Sequence, residues 1–166
     1  VGIGVLGAVL LLFYLSDLKV GSSDQAGAEG RHWTALMIAL GIGLHNLGEG
    51  LAIGSSYALG EIALGTFLVV GFTLHNITEG LGIVTPIAKD QPSIRRLVVL
   101  GLIAGVPTVL GTWIGGFSYS AIWATLFLAI GVGAILQVIY QLMVLFTRKG
   151  EAVFTSAYNL SGFLLG

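Results

Sequence analysis

The segment HNLGEGLAIG at positions 45–54 returns at 75–84 as HNITEGLGIV, so the chain carries His-Asn-x-x-Glu-Gly twice. In an α-helix, residues four apart share a face. His45 then stands beside Glu49 and His75 beside Glu79, with Asn46 and Asn76 on the edge of that face. Two imidazoles and two carboxylates make a four-ligand nitrogen and oxygen set of the kind that holds a divalent ion. The chain has no cysteine, which excludes thiolate sites, disulfides and Cys nucleophiles together. Such donors suit zinc, iron, manganese or cobalt better than copper(I), which prefers sulfur.

The elements that must position these residues are apolar. Of 166 residues, 55% are hydrophobic and 9% charged, a balance that belongs to membrane proteins. Crossing ~30 Å of hydrocarbon takes about 20 helical residues. Apolar segments of that order run near 1–16, 33–59, 61–87, 94–116, 119–146 and 153–166. The alternating polarity of a strand barrel is absent. The fold class expected is therefore all-α, a polytopic transmembrane helix bundle with six spans in a single domain, 1–166. The formal net charge of −1 points to no nucleic acid and no acidic surface partner. The chain opens at Val1 inside one apolar run and stops at Gly166 inside another, which reads as a fragment. The first run lacks a basic n-region and a cleavage pattern, so it reads as a span, not a signal peptide.

Six spans make five connections. Lys19 and Arg31 fall in the first, Lys89, Arg95 and Arg96 in the third, Arg148 and Lys149 in the fifth, and none in the second or fourth. The positive-inside rule makes the basic side cytoplasmic and turns both ends of the chain outward. The connection at 17–32, containing GSSDQAGAEGRH, reads as a flexible cytoplasmic loop, with Trp33 just after it as an interface anchor. Each motif lies about halfway along its span, and antiparallel spans bring both to one depth.

Glu49 and Glu79 are the acids deepest in a span. Each ionised carboxylate at the bilayer centre costs roughly 2.5 to 3.5 kcal/mol, or about 5 to 7 for two. A divalent cation between them cancels both charges. The competing reading makes His and Asn interhelical hydrogen-bond partners and leaves each Glu protonated. Duplication at matched depth favours the metal.

Small or polar stripes accompany the motifs. The second span shows Thr34, Ile38, Gly41, His45, Glu49, Ala52 and Ser56, and the fourth Gly101, Gly105, Thr108, Thr112 and Gly116. The fifth carries Gln137 and Gln141 at i,i+4. Thr108, Gln137 and Gln141 are pathway candidates that packing also accommodates. His32 reads as a surface residue, and Glu61 as a cap for the third span. Gly50, Gly80, Pro86 and Pro107 mark kinks beside a site or path.

Two adjacent spans bearing HN-x-x-EG, with a cytoplasmic loop before the first, resemble the third to eighth helices of the ZIP (Zrt-, Irt-like protein) family. The resemblance covers essentially the whole chain. It implies an eight-helix fold with two helices before Val1, and metal ligands at His45, Asn46, Glu49, His75, Asn76 and Glu79. The implied substrate is a divalent metal ion, zinc first, with iron, manganese, cobalt or cadmium as alternatives, moved into the cytoplasm by alternating access. Many relatives with a binuclear site have a glutamate where Thr108 stands, an acid where Gln141 stands, and some an acid at Asn76. Those departures argue for one principal site. The His-rich loop of many relatives is also missing.

The expectation is thus a metal transporter, not an enzyme, in a plasma or bacterial inner membrane. Its partners are the ion and the lipid bilayer, with a homodimer left open. Two rivals are a membrane-embedded metallohydrolase, which needs an open coordination position and a spare base, and a metal-binding sensor that moves nothing.

Overall fold

The computed structural model describes residues 1–20, 27–117 and 120–148. Helix α1 runs over Gly2–Val20, α2 over Ala28–Ala58, α3 over Ile62–Val84, α4 over Ile94–Phe117 and α5 over Ala121–Arg148, with a 3-10 turn at Thr85–Asp90 after α3. No strand occurs among the described residues, and the protein is an all-α bundle. Among the described residues, four helical stretches are long and apolar enough to cross a membrane, and Gly2–Leu15 of α1 is a shorter apolar helix. The sixth expected span, 153–166, lies outside the described residues.

The stretch 17–32, read as loop, is helical at both ends. Helix α1 continues through Val20, and α2 begins at Ala28 with Glu29 in its first turn, where a carboxylate complements the positive end of the helix. At the other end of α2, Gly60 takes φ +80°, a conformation glycine adopts without strain, and the chain reverses into α3. Glu61 occupies the N-cap position of α3 but makes no side-chain capping bond, so the cap expected of it is absent. Thr85 Oγ1 donates to the Leu81 carbonyl at 2.8 Å. Pro86, which has no N–H to continue the ladder, turns the chain into the 3-10 segment, closed by Gln91 at φ 48°.

Helix α2 is the centre of the bundle. It lies parallel to α4 along a glycine seam in which a Cβ at Gly50, Gly54 or Gly111 would collide with the carbonyl of Thr108, Thr112 or Leu47 across the interface. Lipid offers helices no hydrophobic reason to associate, so close backbone contact between small residues holds them. The seam on α4 runs through Leu100, Ala104, Gly111 and Gly115. Of the stripe Gly101, Gly105, Thr108, Thr112 and Gly116, the backbone of the last three borders α2, while Gly101 and Gly105 lie off the contact face, for a Cβ at either meets nothing within 4 Å. Several faces of a glycine-rich helix carry small residues, and the partner selects one.

Helix α5 packs antiparallel to α2, with Val138 against Gly41 and Leu128 against Gly48, and α1 lies along α5 through Gly4, Gly133 and the edge-on pair Phe13 and Tyr140. Alternation of direction gathers the chain positions of Lys19, Arg31, Lys89, Arg95, Arg96 and Arg148 at one end. There Arg31 pairs with both carboxylate oxygens of Asp90, Nε at 2.8 Å from Oδ2, and Arg96 Nη1 donates to His32 Nε2 at 2.8 Å. His32 thus joins α2 to α4. Outward faces carry Phe67, Leu74 and Leu81 on α3 and Val98, Leu102, Val109 and Trp113 on α4, as contact with lipid chains requires.

The seam leads to a contrast. Gly50→Ala should cost ~1–3 kcal/mol through overpacking against backbone that cannot yield, whereas Gly105→Ala should stay within about 0.5 kcal/mol of the parent. Thermal unfolding in detergent, followed by circular dichroism, measures both; equal losses would show that α2 and α4 do not meet along this line.

Candidate metal site

The α2 to α3 hairpin sets the two motifs face to face, and the i,i+4 spacing within each does the rest. His45 Nε2 lies 3.6 Å from Glu49 Oε1 on its own helix and 4.0 Å from Glu79 Oε1 on the next. His75 Nε2 lies 3.3 Å from Glu79 Oε1. Ligand atoms of His45, Glu49 and His75 fall within 4.8 Å of one another, and the two imidazole rings stand edge to face with centroids 6.1 Å apart. A tetrahedral ion with bonds of about 2.0–2.2 Å needs its ligand atoms roughly 3.3–3.6 Å apart. The donors thus stand near coordination distance, and side-chain adjustments of a few tenths of an ångström to about an ångström would bring them to it.

Burial sharpens the chemistry. Glu49 and Glu79 are buried, His45 is partly covered, and His75 is the most exposed of the four. Glu49 Oε2 and both oxygens of Glu79 accept no well-formed hydrogen bond. Buried polar atoms are satisfied in the great majority of proteins, so three such carboxylate oxygens in one place call for a cation or a proton.

Asn46 is fixed by α4. Its Nδ2 donates to the Ala104 carbonyl at 3.1 Å, three residues before Pro107, in the turn where the proline's missing N–H opens the helical ladder. This use of the amide nitrogen leaves Asn46 Oδ1, buried and without a partner, as a further oxygen. Asn76 Oδ1 is likewise buried and unpaired. Thr108 lies against Gly50, next in sequence to Glu49, and its Oγ1 is buried with no partner. A hydroxyl there brings no charge, so the neighbourhood holds two carboxylates and not three.

Gln137 and Gln141 stand apart from the four donors, toward the basic end of α5. The structure also adds supporting groups that the sequence reading passed over. Gly131 of α5 lets that helix approach the His45 backbone, a Cβ there standing 3.4 Å from His45 Cα. The Ala104 carbonyl anchors Asn46.

Toward the basic end the site is backed by a packed apolar layer of Ala35, Ile38, Ala39, Ile42, Ile83, Ile87, Leu100, Ala104 and Val138. Toward the other end α3 is thinly covered, with Gly65, against Tyr57, as the buried residue of its first half.

Comparison with curated proteins and with solved structures found no match. Among protein families, the model described as ZIP Zinc transporter matches residues 16–166, which include both motifs and all four long apolar helices. The chain therefore belongs to the ZIP zinc transporter family, an integral membrane family whose members carry divalent metal ions.

Proposed function

We propose that this protein moves zinc, or a divalent ion of similar chemistry, into the cytoplasm through a single site made by His45, Glu49, His75 and Glu79, with the side-chain oxygens of Asn46 and Asn76 as auxiliary ligands. The observation that carries the reading is the convergence of two imidazoles and two buried carboxylates from α2 and α3: the ligand atoms of His45, Glu49 and His75 lie within 4.8 Å of one another, and Glu79 Oε1 lies 3.3 and 4.0 Å from the two imidazoles. The ion's two positive charges match the two carboxylates, which makes a neutral centre in apolar surroundings.

Direction rests on the basic residues gathered at one helix end, the cytoplasmic one by the positive-inside rule. The apolar layer below the site and the thin covering of α3 above it fit an arrangement facing outward. Alternating access then requires that layer to part. The Arg31 and Asp90 pair ties α2 to the turn after α3 at the same end and has to loosen with it.

Two measurements test the proposal. In liposomes containing the full chain, zinc uptake should be lost when Glu49 and Glu79 are both changed to Gln, and a panel of zinc, iron(II), manganese(II), cobalt(II) and cadmium ranks the substrates. Retained uptake in the double variant would sink the site assignment, and bound metal without flux in the parent would point to a sensor.

The second concerns pH. The ion binds carboxylates without protons and imidazoles in the neutral form, so binding releases protons. Zinc affinity in detergent should therefore fall as pH is lowered from about 7.5 to about 5.5, with protons appearing in an unbuffered titration. An affinity constant over that range would exclude these ligands.

A further inference from the structure

Below the four-ligand site, on the same face of α2, His45 is followed one turn toward the basic end by Gly41. Helix α5 covers that position. A Cβ on Gly41 would lie 2.5 Å from Val138 Cγ2 and 3.7 Å from Gln137 Oε1. Gln137 is 1% exposed, as buried as any polar side chain described, and neither its Oε1 nor its Nε2 has a hydrogen-bond partner. Its sequence neighbour Val138 belongs to the apolar layer that closes the site toward the basic end. One turn farther along α5, Gln141 Oε1 is also buried without a partner.

A primary amide has two donor hydrogens and an acceptor oxygen, and burying it with none of them used is costly. A residue kept only to glue helices would show a bond across the interface, as Asn46 does to Ala104. Gln137 shows none, and its oxygen borders the stripe that carries His45 and Glu49, about one helical pitch of 5.4 Å below His45. An unused oxygen thus lies beside the apolar layer, on the basic side of the four donors.

Resting on the transport reading above, we propose that Gln137 is a second, transient ion station, whose amide oxygen takes over part of the ion's coordination as the apolar layer opens and hands it on toward Gln141. A neutral carbonyl oxygen suits this task because it binds a divalent ion more weakly than a carboxylate. Conduction needs a site favourable enough to enter and weak enough to leave. Gly41 lets α5 pack this closely, since a Cβ there would strike Val138 Cγ2.

The test separates this station from the main site. Gln137→Leu and the near-isosteric Gln137→Met should bind zinc in detergent within about twofold of the parent, because they leave the four ligands untouched, yet lower the maximal uptake rate by about tenfold or more at an unchanged KM. Gln137→Glu should bind zinc more tightly, release preloaded zinc more slowly in a chase, and also transport more slowly. Equilibrium binding reports on folding in each variant, and Met serves if Leu is not tolerated. Uptake at the parental rate in Gln137→Leu or Gln137→Met, or a loss of equilibrium binding parallel to the loss of rate, would overturn the inference alone. Absence of flux in the parent would overturn the transport reading and this inference with it.

Discussion

Two carboxylates deep in apolar helices constrain everything else in this structure. Unpaired and ionised, Glu49 and Glu79 would together cost about 5 to 7 kcal/mol at mid-membrane, more than the glycine contacts around them would readily offset. Three of their oxygens are buried and accept no well-formed hydrogen bond. Their facing imidazoles could neutralise them only by becoming cations themselves, which would leave four charges to be held out of water. A divalent ion settles both charges at once and leaves the imidazoles neutral. Three features of the fold bring the donors together: a tight reversal at Gly60, two motifs in antiparallel register, and a central helix so closely embraced by α4 and α5 that Glu49 is shielded on its far side.

The motif chemistry and the helical class were legible in the residues because both depend on short-range regularities. The i,i+4 spacing of His and Glu needs only a helix, and thirty residues between copies need only a hairpin. Helix ends were less legible. The polar residues around Lys19 and Glu29 ended the apolar signal, but a helix leaving the hydrocarbon has no reason to stop there. Conversely Pro86, read as a kink, ends α3 and converts the chain to a tighter turn. Partner choice was least legible. Gly101, Gly105, Gly111, Gly115 and Gly116 offer α4 more than one small face, and only the Leu47 and Leu51 backbone opposite Gly111 and Gly115 shows which is used. In the same way Gln137 and Gln141 look alike in sequence, and packing alone places the first against Gly41.

Contacts divide the bundle unevenly. The α2 and α4 seam is backbone against backbone, a kind of contact with little slack. Helix α3 is held differently, by Gly65 against the Tyr57 ring near the reversal and by Glu79, Ile83 and the 3-10 turn at the far end. His45 and Glu49 therefore sit on the close-packed part, and His75 and Glu79 on the lightly held helix. An ion bound by all four bridges the two. Its binding energy becomes an interhelical tie, and differential binding between two arrangements of α3 is what would let it bias them.

That tie also sets a problem for release. A site neutral with its ion regains two buried negative charges the moment the ion departs, so departure is easiest if charge is replaced at the same time. Protons arriving from the basic end can do this for Glu49 and Glu79, but only after the layer of Ile38, Ile83, Ile87 and Val138 admits water. Branched apolar side chains around a narrow passage exclude water until they separate. Neutral oxygens placed inside such a layer lower the cost of its first wetting without creating a new charge to be left behind. On the transport reading, Gln137 beside Val138 meets that requirement, whereas an acid there would trade an easy exit for a second deep well.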